Sequence, residues 1–400
     1  MFMGEVKGMA KMRNPRRDEL DYLFNFSNRI FKYERGGWNL TFVRGQLEAF
    51  SMDDILVIEE DGRIVSGLYM KPYKVYICGA VLEGAEVGGV ATDERYRGRG
   101  FASTILREAV RQMTARGCDI STLGGYRDRY ARWGWEHGGT TRTYTITERS
   151  VRYAGDHSGI EMTMYEPPDP TLKRKIIKAY EGQAIHMVRP KVDHDLTYDV
   201  KKFVGMEVWA FESEEGGFAY MVALRSQDGG SLSVLEHGGD PEVLAPGLRK
   251  AFEEWDLKEI RVPSPGIYTE FTPFLEQMSM SWVLHPSRQL NILSLRGCLE
   301  KLLPVAERMA GAVLEDISKP YSVTLGVAET GERVTVLFDR GCEVTDEDGE
   351  ENLVLGRCQM VRLLFGQERP SSALGLSGRK ASYLDLVFPL PFHEWRTDTR

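Results

Sequence analysis

The residues best suited by type and spacing to do chemistry are Arg97, Gly98, Arg99, Gly100, Phe101, Ala102 and Ser103. They form a basic glycine loop between a strand-like run, Glu86-Val-Gly-Gly-Val-Ala-Thr92, and a helix-like one. A pyrophosphate needs several backbone N–H donors converging at a helix N-terminus, where the first amides lack intrahelical acceptors and the helix dipole is positive. Gly98 and Gly100 carry no Cβ to obstruct phosphates, Arg97 and Arg99 add charge and donors, Ala102 keeps the first turn open, and Ser103 adds a hydroxyl. The loop is neither G-x-x-x-x-G-K-[ST] nor, after Gly98, G-x-G-x-x-G, which counts against nucleotide hydrolysis and dinucleotide binding. The competing reading is a solvated basic turn before an ordinary helix. The order strand, loop, amphipathic helix, strand argues against it.

The elements that must position this loop follow from periodicity. A helix is expected over Asp18 to Phe31, then strands at Asp54 to Glu59 and Arg63 to Pro72 around an Asp61-Gly62 turn. Two more strands, Lys74 to Val81 and Ala85 to Ala91, are expected to flank a turn at Leu82-Glu83-Gly84. After the loop, Ile105, Leu106, Ala109, Val110 and Met113 share one helical face, Gly117 ends the helix, and Asp119 to Leu123 reads as a strand. Residues 85 to 116 are therefore the expected anion-binding unit.

A Pro-containing stretch near Pro167 follows a break in pattern, which places a boundary near residue 150. Beyond it, strands at Val208 to Phe211, Phe218 to Leu224 and Ser231 to Leu235, a helix over Pro241 to Trp255 and a strand at Glu259 to Val262 repeat the first order. Glu236-His237-Gly238-Gly239-Asp240 stands where phosphate donors would be needed, so this copy reads as structural. From Asn291, a helix over Cys298 to Met309, strands at Tyr321 to Ala328 and Arg333 to Asp339, a helix over Cys358 to Phe365 and a strand at Ala381 to Leu386 suggest a third, α+β unit.

Composition narrows the function classes. The chain has 400 residues, 42% hydrophobic and 28% charged, enough for two or three cores and unlike a disordered protein. A net charge of −8 argues against a general nucleic-acid binder. The cysteines, Cys78, Cys118, Cys298, Cys342 and Cys358, are odd in number without a C-x-x-C pair, which fits reduced thiols. There is no run of apolar residues long enough for a membrane span and no apolar core of a signal peptide near the N-terminus, so no membrane partner and a cytoplasmic location are expected. His186 and His194 lack HExxH or cysteine spacing, and the acidic run Glu343 to Glu351 lacks calcium-loop order; no metal is expected.

Arg97 to Ala102 matches the Q/R-x-x-G-x-G/A pattern, and on it the chain resembles the GNAT superfamily, whose members bind acetyl-CoA there. With Tyr130-Ala-Arg-Trp-Gly-Trp135 and the order of units, it resembles more closely the enhanced intracellular survival (Eis) acetyltransferases. The resemblance implies a mixed α/β, α+β fold: tandem GNAT domains, active over 1–150 and degenerate over 151–290, followed by a sterol-carrier-protein-like α+β domain over 291–400. It implies that the backbone of Val90, Ala91 and Thr92 binds the pantetheine arm and thioester while residues 97–103 hold the phosphates. It further implies that Tyr130 is the general acid, that the C-terminal carboxylate, here of Arg400, is the base, and that the protein forms a homo-oligomer, a hexamer.

Chemistry supports parts of this scheme. A phenol with an ordinary pKa of about 10 can donate to a thiolate whose conjugate acid lies near 8.5. The alternatives are that Tyr130 only packs beside Trp133 and Trp135, or that Tyr126 serves instead. A terminal carboxyl of pKa about 3.5 is intrinsically a weak base for an ammonium; Asp398 and Glu86 are the other candidates. Gly88 and Gly89 stand where many amine acetyltransferases carry an acidic residue, which favours a base from elsewhere. The expected reaction is acetyl transfer from acetyl-CoA to a primary amine on a small molecule or peptide, such as an aminoglycoside, polyamine or lysine side chain. The competing function is a non-catalytic acyl-CoA or lipid-binding module.

Overall fold

A computed structural model describes residues 10–315, 317 and 319–398. Its strands are β1 (Lys11–Arg13), β2 (Ile55–Glu60), β3 (Arg63–Ile77), β4 (Ala80–Thr92), β5 (Ile120–Leu123), β6 (Glu136–Thr147), β7 (Ile160–Met164), β8 (Ile185–Met187), β9 (Met206–Ser213), β10 (Phe218–Arg225), β11 (Ser231–Gly239), β12 (Glu259–Pro265), β13 (Ser281–Ile292), β14 (Tyr321–Val327), β15 (Arg333–Phe338), β16 (Cys342–Thr345) and β17 (Glu351–Leu355). The main helices are α1 (Leu20–Phe31), α2 (Leu40–Ala49), α3 (Phe101–Ala115), α4 (Pro170–Glu181), α5 (Pro241–Glu254), α6 (Leu295–Ala310), α7 (Arg357–Phe365) and α8 (Gly378–Val387). Among the described residues, no helix is long and apolar enough to cross a membrane.

Thirteen strands share one sheet, ordered β1-β2-β3-β4-β5-β13-β6-β12-β11-β10-β9-β7, with β8 paired to β3. The expected boundary near 150 falls just after β6, yet the sheet runs across it. β13 lies antiparallel between β5 and β6, with Gln289 to Ile292 opposite Leu123 to Ile120 and Ser281 to Leu290 opposite Thr145 to Glu136. β6 in turn pairs with β12. Each half therefore lends its final strand to the join, and the hydrogen bonds of β5 and β12 are completed by the other half's chain.

The third unit packs β16-β15-β14-β17 against α6, with α8 beside α6, while α7 lies against β6 and β13 of the large sheet. Its core is continuous with the first unit's: Val75, Ile77 and Leu82 are buried in one cluster with Leu299, Leu302, Val323 and Phe338.

Three expectations are corrected. Ala381 to Leu386 is helical, within α8; Ala381, Leu384 and Val387 are buried at three-residue spacing, and this helical period overrides a strand reading. The turn expected at Leu82 to Gly84 lies instead at Cys78-Gly79, both residues with positive φ (48° and 99°) as a two-residue hairpin turn demands. Consequently Lys74 to Ile77 belongs to the long β3, and Gly84 lies within β4 opposite Tyr73. Sequence reading also passed over α2, β6 and β13.

Candidate active site

The site begins where a parallel pair comes apart. β4 and β5 pair from Gly84–Val87 to Ile120–Leu123 and no further. Directly after Val87, β4 bulges: Gly67 faces Ala91 and Tyr69 faces Gly88, so Gly89 and Val90 together oppose Leu68. Gly89 takes φ 60° at this bulge. Gly88 is required by crowding, since a Cβ there would lie 2.1 Å from the Tyr69 hydroxyl oxygen. The bend turns β4 away from β5, leaving a V that opens at Gly88-Gly89 on one arm and Gly124-Gly125 on the other. Val90, Ala91 and Thr92 form the outer part of the first arm; Ala91 and Thr92 pair with Gly67 and Ser66 of β3 on one side, and lie beyond the last β5 partner on the other.

The glycine loop sits at the outer end of that arm. Gly98 and Gly100 adopt φ 77° and 82°, and added Cβ atoms would meet nothing within 4 Å, so it is backbone conformation that demands glycine at both. Gly100 caps α3, its carbonyl accepting from Thr104 N at 3.0 Å, which leaves the amides of Phe101, Ala102 and Ser103 in the first turn as donors without intrahelical acceptors. Arg97 is exposed, with a 3.5 Å contact to Glu94. Arg99 is already engaged: its guanidinium pairs with Glu60 at the end of β2 and lies over the rings of Tyr96 and Phe101. The pairing makes Arg99 a brace for the loop as much as a donor to an anion. Phe101 packs against the core cluster of α3.

Tyr130 lies beside the other arm. A Cβ on Gly125 would come within 3.0 Å of its ring, so the phenol packs against the end of β5. The Trp133 ring is 6.4 Å away. Burial raises the Tyr130 pKa, which keeps the phenol protonated. Tyr126, by contrast, is 69% exposed.

The alternative bases are paired. Glu86 is buried on β4 and accepts from Arg288. Asp398 is buried, accepting from Arg189 Nε at 2.7 Å and from the Tyr180 hydroxyl. Arg400 lies outside the described residues. The segment before it threads the interior: Phe392 O accepts from Thr140 N at 2.9 Å, Glu394 lies 3.4 Å from Arg288 Nε, and Lys202 Nζ donates to Arg396 O at 3.0 Å. Arg288 in turn lies against Gly124, where a Cβ would be 3.2 Å from Nη1. Burial raises the Glu394 pKa and lowers that of Lys202, driving both towards neutrality. This cluster behind the V escaped sequence reading, because its members come from four distant segments and none carries a motif.

Between α1, α2 and the V lies a cavity of about 350 Å³ that reaches Gly88, Gly89, Gly124 and Gly125. Leu23, Phe26, Trp38, Leu47, Phe50 and Tyr69 are among its walls. Its roof is tied to the second unit through Asn39, whose Oδ1 caps α2 and whose Nδ2 donates to Val200 O.

In the second strand, helix, strand unit β11 and β12 also part, pairing in parallel only from Ser231–Ser233 to Glu259–Arg261, but α5 starts at Pro241 with only Asp240 after β11, so no glycine loop precedes the helix. Glu236 fills the interior there, accepting from Arg189, Thr397, Tyr198 and Tyr220. Among the described residues, no group of three or more His, Cys, Asp or Glu side chains is arranged to hold a metal ion.

Comparison with known proteins bears on this geometry. The acetyltransferase (GNAT) domain family matches residues 11–138. No curated protein matches the sequence. Solved structures align over almost the whole chain. A conserved protein from Enterococcus faecalis V583 is 15% identical over 96% of this chain and 97% of its own, with a TM-score of 0.72. A GCN5-related N-acetyltransferase from Kribbella flavida is 15% identical over 98% and 99%, with a TM-score of 0.70. Eis1 from Mycobacterium abscessus is 13% identical over 96% and 99%, with a TM-score of 0.67. At these identities the likeness is one of fold.

Proposed function

We propose, from the premise that residues 11–138 are a GNAT acetyltransferase domain, that the chain transfers an acetyl group from acetyl-CoA to a primary amine. The observation that carries this reading is the V between β4 and β5, with a helix N-terminus and its left-handed glycines at one end and Tyr130 at the other. The amides of residues 101–103 and the Arg97 side chain would hold the pyrophosphate, and the open edge at Val90, Ala91 and Thr92 would take the pantetheine amides as an added strand. Such alignment would fix the thioester carbonyl where the V opens, and positioning supplies much of the rate.

The amine nitrogen attacks the thioester carbon, the C–S bond breaks, and the Tyr130 phenol gives its proton to the departing sulfur. The nitrogen's surplus proton passes to a base and on to solvent, and Tyr130 is reprotonated from water. On the resemblance to Eis-like enzymes the base is the carboxylate of Arg400; extending the chain by one residue should then lower kcat and leave acetyl-CoA affinity unchanged. The same resemblance supports the division at 150 and 290, with the second copy and the third unit as supports, and a hexameric assembly that sedimentation would test.

The function itself is tested by incubating the pure protein with acetyl-CoA and a panel of amines while following free thiol. Amine-dependent thiol release is expected. Tight acetyl-CoA binding in calorimetry without transfer to any amine would replace the enzyme by a binding module.

A further inference from the structure

We infer that the acceptor is a monoamine with an apolar body, aromatic or short aliphatic, and that the cavity under α1 and α2 is its site. The inference rests on the acetyl-transfer reading and narrows it. The cavity adjoins both arms of the V at Gly88-Gly89 and Gly124-Gly125, so an amine bound there presents its nitrogen where the thioester would lie. Among the described lining residues there is no Asp, Glu, Lys or Arg; the side chains with polar atoms are Ser27, Tyr33, Trp38, Gln46 and Tyr69, all uncharged. Ser27 and Tyr33 are hydrogen-bonded to each other at 2.7 Å.

This lining discriminates by charge. A polyamine or aminoglycoside carries several ammonium groups, and each one brought into an apolar wall without a carboxylate loses hydration and gains no partner. A monoamine brings only the nitrogen that is to react. Its protonated form is disfavoured by the same desolvation, so entry itself drives the nitrogen towards the neutral, nucleophilic state. That accounts for an amine site whose β4 arm offers two glycines in place of a carboxylate. The volume, about 350 Å³, is at the low end of ligand sites, ~300–1,000 Å³, and suits one ring or a short chain.

A long acyl chain on the donor would satisfy the same walls. The cavity, however, also reaches Phe31, 43% exposed, and Gly36, on the segment after α1. An acceptor that arrives separately from the donor needs such an exposed rim, and a comparison of acyl donors tells the two occupants apart.

The test uses the full chain with acetyl-CoA and measures kcat/KM by thiol release for 2-phenylethylamine, hexylamine, spermidine and kanamycin. The two monoamines are expected to exceed the polycations by about tenfold or more. Leu47→Glu, which places a carboxylate on the lining, should move the ratio towards spermidine by about tenfold; calorimetry of acetyl-CoA binding checks that the variant is folded. Spermidine or kanamycin matching the monoamines in the unaltered protein would overturn the inference whatever the variant does. Preference for octanoyl-CoA over acetyl-CoA, abolished by Leu47→Glu, would assign the cavity to the donor and also overturn it. Turnover with polycations alone leaves the acetyltransferase standing without this acceptor class, whereas acetyl-CoA binding with no turnover removes both.

Discussion

Tyr130 carries the proton chemistry of the proposed reaction, and its place against Gly125 sets what its loss should do. Tyr130→Phe keeps the ring contact and removes only the donor, so kcat should fall about 100-fold or more while acetyl-CoA affinity holds. Steady-state kinetics alongside calorimetry separate the two quantities, and an unchanged kcat would make the phenol a packing group. A second residue-scale expectation concerns His237. It is 1% exposed, its ring against Trp395 and its Nε2 donating to Pro263 O at 2.9 Å, and burial pushes its pKa down to about 4. The unfolded chain takes up this proton near pH 6.5 and the folded one only near 4, so the stability it contributes is complete above 6.5 and lost as pH falls through that window. Compared with His237→Gln, the parent should lose about 1.4 kcal/mol more per pH unit between 6.5 and 5. Urea unfolding of both proteins at several pH values would reveal parallel curves if the histidine does not stay neutral.

At the scale of elements, the anion-binding unit was legible because its signals are local. Glycine at left-handed positions, an apolar face of period 3.6 and a capping position all fall within one short stretch, and α3 follows them. The repeat over residues 206–265 was legible for the same reason. What was not legible depends on partners far away in sequence. α2 has a capping residue, Asn39, and buried Phe42 and Gln46 four apart, but Thr41, Val43 and Gly45 blunt its helical signal. Tyr144 and Ile146 alternate as a strand in β6, yet nothing in the sequence names β13 and β12 as its neighbours. The turn at Cys78-Gly79 escaped notice because cysteine is not a usual residue at positive φ. The strand exchange makes its own prediction. A fragment ending at residue 150 would hold β5 and β6 without the strand that joins them, leaving Ile120, Tyr144 and Ile146 uncovered. It should be aggregated or unfolded by circular dichroism and sedimentation, whereas a soluble, folded fragment would mean that the first unit closes its sheet without help.

For the whole molecule, the buried ionic group around Arg189 joins the second unit to the tail. Its guanidinium pairs with Glu236 and Asp398, both almost fully buried, and donates to Tyr198 and Thr397. Removing one partner of a buried pair costs more than the pair contributes, because the remaining charge is stranded. Arg189→Leu leaves two carboxylates stranded, so it should destabilise the protein by about 3–5 kcal/mol, read from denaturant unfolding. A loss under 1 kcal/mol would show that the tail is not held by charge. The same group fills the interior of the second copy beside β11 with a carboxylate, Glu236, already held by four donors.

The interleaving of β13 between β5 and β6 also has a consequence in time. Synthesis delivers residues 120–147 long before residues 281–292, so the growing chain carries two unpaired strand edges through all of the intervening stretch. Native pairing across so wide a separation is slow, and open edges invite partners from other chains meanwhile. Yield in a cell should therefore track the supply of holding chaperones more than the stability of the finished fold.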